Sequence, residues 1–178
     1  QIYCDFFGYS TIAIGCAKAM GYNLMDNFKN PYLAQNIREF WQRWHISLST
    51  WFRDYVYFSL GGNRVKISRW VFNILIVFVL SGLWHGANWT FILWGFAHGL
   101  VHVAEHFTKK IFKWKEVTDK ILASVVRFFN GIKTFVIVTF IWILFRATDV
   151  HHAKNVFLSV FRNTSVGDQL NVDMKTWI

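Results

Sequence analysis

One of the chain's seven histidines, His85, stands where packing alone does not account for it. It lies in Ser81-Gly82-Leu83-Trp84-His85-Gly86-Ala87-Asn88, midway along a 38-residue apolar stretch from Trp70 to Phe107. An ionised side chain at such a place in lipid costs on the order of a few kcal/mol. Irregular backbone at that depth is tolerated only where it lines a cavity or is buried in protein. Gly82 and Gly86 bracket His85 and would let a helix break there. Together these features imply a polar cavity holding an imidazole. With an ordinary pKa near 6.5, that ring can take a proton from a hydroxyl at neutral pH. The alternative is a neutral histidine hydrogen-bonded to a neighbouring helix.

The other histidines say less individually. His45 falls on the edge of a patterned helix, beside Arg38 and Ser49 by helical angle, and alone reads as an interfacial or structural histidine. His98, His102 and His106 recur every four residues with Glu105 adjacent. Histidines at i and i+4 can chelate a metal, but these sit at the end of a span, where histidine serves as an interface residue, and no metal is expected. His151-His152 reads as a solvated pair, and Asp5 as a helix–helix hydrogen-bonding group. Cys4 and Cys16 have neither metal nor redox spacing, so they read as small hydrophobes and imply no disulfide framework.

Something must hold these groups in lipid. Hydrophobic residues make up 54% of the chain and charged ones only 16%, against about 25% charged in a soluble domain. Ten Trp and nineteen Phe fit a protein with interfacial aromatic belts. The net charge of +9 does not point to nucleic acid, because the basic residues cluster between apolar spans and no groove-reading or stacking motif accompanies them. From Phe107 to Lys133, Lys109, Lys110, Lys113, Lys115, Lys120, Arg127 and Lys133 face only Glu116 and Asp119, the bias of a cytoplasmic segment. The chain opens inside an apolar segment and stops at Trp177-Ile178, as a piece of a longer protein would.

Along the chain, residues 1–22 read as the end of one membrane helix, with Gly8, Gly15, Ala17 and Ala19 suited to close packing. A polar connector from Asn23 to Asn30 leads to Pro31. Ile37, Phe40, Trp41, Trp44, Leu48, Trp51, Phe52 and Tyr55 then fall on one face of a predicted helix over 37–58, ended by Gly61-Gly62. Asn36 and Glu39 form a variant capping box at its start. The stretch 70–107 reads either as one span plus a short helix or as two short helices meeting at His85-Gly86. Basic residues on both flanks favour a hairpin with both ends cytoplasmic. A further apolar segment covers 131–147, and a short amphipathic helix is expected from Asp149 through Phe161.

These residues carry a resemblance. Asn27-Phe28, Asn30-Pro31-Tyr32, the run from Glu39 through Trp44-His45-Ile46-Ser47 to Arg53-Asp54-Tyr55, and Leu60-Gly61-Gly62-Asn63-Arg64 resemble the membrane-bound O-acyltransferase family, most of all its alginate O-acetyltransferase branch. Gly82-Leu83-Trp84-His85-Gly86-Ala87-Asn88-Trp89, followed by Trp94-Gly95 and His98-Gly99, is similar to that branch's histidine segment. Trp142 to Ala147 is a weaker match. Phe7 and Thr11 depart from the pattern, standing where a serine and an aspartate are expected.

The resemblance implies an all-α, multi-pass helical bundle around a tunnel, with amphipathic or re-entrant helices. Residues 1–178 would form one membrane domain, the C-terminal catalytic portion of such a protein. His85 matches the family's proposed catalytic histidine and His45 its second motif histidine. Trp84, Asn88, His98, Arg53 and Asp54 would line the tunnel or bind substrate, with Asn88 or the Trp84 N–H as candidate donors to an oxyanion. The implied reaction moves acetyl from acetyl-CoA or another acyl thioester to hydroxyls of an exported polysaccharide or to a relay protein, with no bound cofactor. Its setting would be the inner (cytoplasmic) membrane, with periplasmic acetylation proteins as partners and no nucleic acid. The sequence leaves open a D-alanyl or lipid acyltransferase, and a non-catalytic scaffold or transport subunit.

Overall fold

A computed structural model describes residues 1–112 and 119–162. Seven α-helices are formed among these residues: α1 (Ile2–Ala19), α2 (Ile37–Arg43), α3 (Ile46–Trp51), α4 (Ile67–His85), α5 (Trp89–Phe112), α6 (Lys120–Arg146) and α7 (Val150–Phe161). No strand occurs among the described residues. A 3₁₀ turn, Pro31–Leu33, precedes α2, and a π-helical turn, Phe52–Tyr57, continues α3.

Helices α4 and α6 are long and apolar enough to cross a membrane, yet only 22% and 17% of their apolar windows are buried inside the protein. A soluble core helix of such composition would be mostly buried, so the exposed faces suit contact with lipid. At 1.5 Å per residue, α4 spans roughly 28 Å, close to the hydrocarbon thickness of a bilayer.

The stretch 70–107 resolves into two long helices, rather than one span plus a short helix or two short helices. Gly86 is the C-cap of α4 in extended conformation, with its N–H donating to the Leu83 carbonyl at 3.2 Å. Gly82 does not break the helix. A Cβ there would lie 2.2 Å from the Phe91 carbonyl oxygen, and one on Gly95 would lie 2.1 Å from that of Phe78. Both glycines let α4 and α5 touch backbone to backbone, the close approach that small residues allow in membrane helices. Phe78 beside Gly95, Leu75 beside Gly99 and Trp70 beside His106 continue an antiparallel register. The hairpin thus brings its two basic ends together.

The single helix expected over 37–58 is broken instead at Trp44-His45. Trp44 is extended (φ −106°, ψ 129°) and His45 left-handed (φ 43°, ψ 56°). The apolar stripe fails with it: Ile37, Phe40, Trp44 and Phe52 are buried, whereas Trp51 and Tyr55 are exposed. The cap holds, since the Asn36 side chain accepts from the Glu39 N–H at 3.0 Å. The Glu39 carboxylate reaches back to the Gln35 N–H at 2.9 Å. Helix α6 begins well before the expected 131, and its first turn is capped by Asp119. The expected basic segment 107–133 is therefore helical at both ends, and residues 113–118 lie outside the described residues. The amphipathic helix after Asp149 forms as expected, capped by the Asp149 side chain on the His152 N–H.

The core joins Phe28, Ala34, Ile37, Phe40 and Trp44 to Trp94 of α5 and to Val138, Ile141 and Trp142 of α6. Glu105 of α5 ties three helices together. Its carboxylate accepts from the Ile37 N–H at 2.9 Å, at the start of α2, and pairs with Lys133 of α6 at 3.5 Å.

Candidate active site

His85 closes the last turn of α4, and His45 occupies the break between α2 and α3. Forty positions apart in sequence, they meet at one aromatic ring. Trp84 lies 4.9 Å from the His85 ring and 6.1 Å from the His45 ring, edge-on to both. His85 is further enclosed by Trp94 at 5.3 Å and Phe145 at 5.0 Å. His45 rests against Phe6 of α1 at 4.6 Å.

A left-handed backbone at a non-glycine residue costs about 1–3 kcal/mol and tends to collect at functional sites. His45 carries that conformation outside the spanning helices. Burial, helped by the nearby His85, pushes its pKa down to about 4, so the ring is uncharged at neutral pH. Two imidazoles at helix ends present ring nitrogens that can exchange a proton with a bound hydroxyl and a departing group.

The remaining candidates separate. Trp84 is 58% exposed, so one face is open beside both histidines. Asn88 caps the start of α5, accepting from the Thr90 N–H at 3.2 Å and donating to the Thr148 carbonyl at 2.9 Å. It thereby ties the α4–α5 turn to the α6–α7 turn. Arg53 and Asp54 form an exposed neighbour pair at 2.7 Å in the π-helical turn, and that hydrogen bond lowers the Asp54 pKa. His98 is fully buried, stacked between Phe40 and Phe78 and edge-on to Trp41 and Trp94. Asp5 is exposed on α1.

Two features had no counterpart in the sequence reading. Thr90 Oγ1, Trp94 Nε1, both His98 nitrogens and His102 Nδ1 are buried polar atoms with no hydrogen-bond partner among the described residues. Their four-residue spacing was visible, but not that one face of α5 buries them all. The second feature is a cavity of about 780 Å³ whose walls include Arg38, Trp41, Arg53, Phe78, His102, His106 and Lys109. Ring contacts lead from its wall to His85 in two steps, Trp41 to Trp94 at 5.7 Å and Trp94 to His85 at 5.3 Å.

Apolar helices that bring two half-buried histidines to one indole define a membrane protein with an imidazole pair. The chain belongs to the membrane-bound O-acyltransferase family, whose sequence pattern it matches over residues 1–146. It is 43% identical over 172 residues to the probable alginate O-acetylase AlgI of Pseudomonas putida, covering 94% of this chain and 32% of that protein. It is 42% identical over 160 residues to the peptidoglycan O-acetyltransferase of Helicobacter pylori, covering 88% and 28%. Against the teichoic acid D-alanyltransferase of Bacillus subtilis it is 34% identical over 164 residues, covering 85% and 40%. The chain thus spans about a third of the length of the curated relatives it matches.

Proposed function

We propose that this chain is the histidine-bearing part of a multi-pass inner-membrane O-acyltransferase, a single membrane domain that forms the C-terminal catalytic portion of the whole protein. The reaction moves acetyl from a thioester, acetyl-CoA, to hydroxyls of an exported polysaccharide or to a periplasmic relay protein. The observation that carries this reading is the convergence of His85 and His45 on Trp84. The higher identity to the O-acetyl-transferring relatives than to the D-alanyl-transferring one favours acetyl.

In this mechanism His85 takes the proton of the acceptor hydroxyl as its oxygen attacks the thioester carbonyl. The carbon–sulfur bond then breaks, and the proton passes to the thiolate, whose ordinary pKa near 8.5 makes it a good leaving group. His45 shapes the acceptor side. The exposed face of Trp84 borders a tunnel formed with the rest of the protein, and its indole N–H is one donor to the developing oxyanion. The cavity, whose walls carry Arg38, Arg53 and Lys109 against one acidic side chain, Glu105, receives the donor's phosphates.

Transfer is direct. Ser81 is the one hydroxyl a helical turn from His85. Helix α4 runs unbroken through Gly82, which keeps Ser81 on that side, but Ser81 is buried at 6% exposure. The test incubates the full-length enzyme with radiolabelled acetyl-CoA, with and without acceptor. Acetyl should reach the acceptor, and His85→Ala should abolish this while membrane insertion is kept. Label held on the acceptor-free protein and lost in Ser81→Ala would replace direct transfer by an acyl-serine route. Normal acetylation by His85→Ala would remove His85 from the mechanism.

A further inference from the structure

The break that presents His45 is held from outside its own helices. Helix α3 begins with N–H groups that its own N-cap residue leaves uncapped, because the His45 side chain makes no such bond. The cap comes instead from Asn27, in the polar connector after α1. Its Oδ1 accepts from the Ser47 N–H at 3.1 Å and from the Ser47 hydroxyl at 2.6 Å. Its main-chain carbonyl accepts from the Ile46 N–H at 3.0 Å. Its Nδ2 donates to the Ser10 hydroxyl at 2.9 Å, anchoring it to buried Ser10 on α1. On the other side of the break the same connector bonds again, Lys29 N–H to the Arg43 carbonyl at 3.0 Å.

The connector therefore grips the chain on both sides of Trp44-His45, and Asn27 is the member that does so with its side chain. An oxygen on these N–H groups fixes where α3 starts. That start leaves His45 in a left-handed conformation that a free histidine rarely keeps. We infer that Asn27 is a positioning residue for His45, an external cap that fixes the left-handed turn aiming the imidazole at Trp84. This rests on the reading of His45 as part of the acyl-transfer site.

The test uses the full-length protein with Asn27→Ala and Asn27→Asp. Aspartate keeps the acceptor for Ser47, and the Ser10 hydroxyl can turn to donate to it. Two readouts are taken on monodisperse protein: kcat and KM for acetyl transfer, and carbethoxylation of each histidine by diethyl pyrocarbonate without substrate, followed by peptide mass spectrometry. Asn27→Ala should lower kcat roughly 10- to 100-fold, the effect of an ångström-scale misplacement, with donor KM within about twofold. His45 should be modified faster, while His151 and His152, exposed on α7, keep their native rates. Asn27→Asp should restore both readouts. If Asn27→Ala does not accumulate, Asn27→Gln, with the same groups one methylene too far, takes its place. Native kcat and native His45 modification in the disrupted variant would overturn the inference, as would an Asn27→Asp protein as impaired as Asn27→Ala. A native protein that transfers no acyl group, with His45 modification still raised by the variant, would sink the acyltransferase reading and leave the positioning role standing.

Discussion

At the scale of the residue, His85 was legible because its sequence surroundings make it costly: an imidazole between apolar residues needs a cavity or a partner. His45 was not legible in the same way. Its helical pattern was sound on both sides, and only the fold shows that the two halves are separate helices with His45 left-handed between them. The bonds that favour the break come from Asn27, 18 positions earlier, and no local propensity encodes that reach. Asn88, a candidate for oxyanion contact by sequence, is engaged as a cap and as a bridge to Thr148. Asn88→Ala should therefore act on stability first. Loss of one cap and one inter-turn bond corresponds to about 1–3 kcal/mol. A clear drop in the thermal midpoint of the detergent-solubilised protein, at near-native KM, is the expected result. A native midpoint with lost activity would return Asn88 to the chemistry.

At the scale of the element, the paired glycines matter most. A glycine beside His85 reads as a helix breaker, whereas the fold uses Gly82 for contact with Phe91, as it uses Gly95 for contact with Phe78. Glycine signals either role, and only the position of the neighbouring backbone separates them. An added side chain at these positions meets carbonyl oxygens that belong to helices and cannot step aside. Gly82→Val and Gly95→Val should each push α4 from α5 and displace His85 from Trp94. The expected outcome is poor accumulation in the membrane and increased proteolysis, of the size seen for overpacked cores, about 1–3 kcal/mol or more. Gly131, where an added Cβ would meet nothing within 4 Å, should accept Ala without effect. Equal tolerance at all three positions would show that the tight α4–α5 crossing is not required.

At the scale of the whole molecule, the two ends of the α4–α5 hairpin distinguish two surfaces. One end carries the histidine pair, and the other carries Arg69, His106, Lys109 and Lys110, beside the cavity. Membrane character and the amphipathic helix α7 were readable from composition and periodicity. The cavity was not, because its lining is drawn from residues 36 to 109 and becomes one surface only when α2, α3, α4 and α5 pack together. The positive-inside rule predicts a cytoplasmic setting for this end. A single cysteine at exposed Lys110 should therefore resist an impermeant thiol reagent in intact cells and react in inverted vesicles. Ready labelling from outside would reverse the topology. Replacing Lys109 and His106 together by Gln should raise KM for acetyl-CoA about tenfold or more and weaken its salt dependence, with kcat little changed, as expected for lost charge-assisted contacts. An unchanged KM would move the donor's phosphates elsewhere.

His85 is proposed to carry the proton of the acceptor hydroxyl during acyl transfer. The most direct measurement is single-turnover acetyl transfer from radiolabelled acetyl-CoA to a saccharide acceptor by purified full-length His85→Ala protein, with and without added imidazole. The expected result is unchanged donor binding, a rate at least about 10²-fold below native, as for loss of a general base, and partial recovery with imidazole in proportion to its neutral form. Transfer at the native rate by His85→Ala protein, with no response to imidazole, would contradict it.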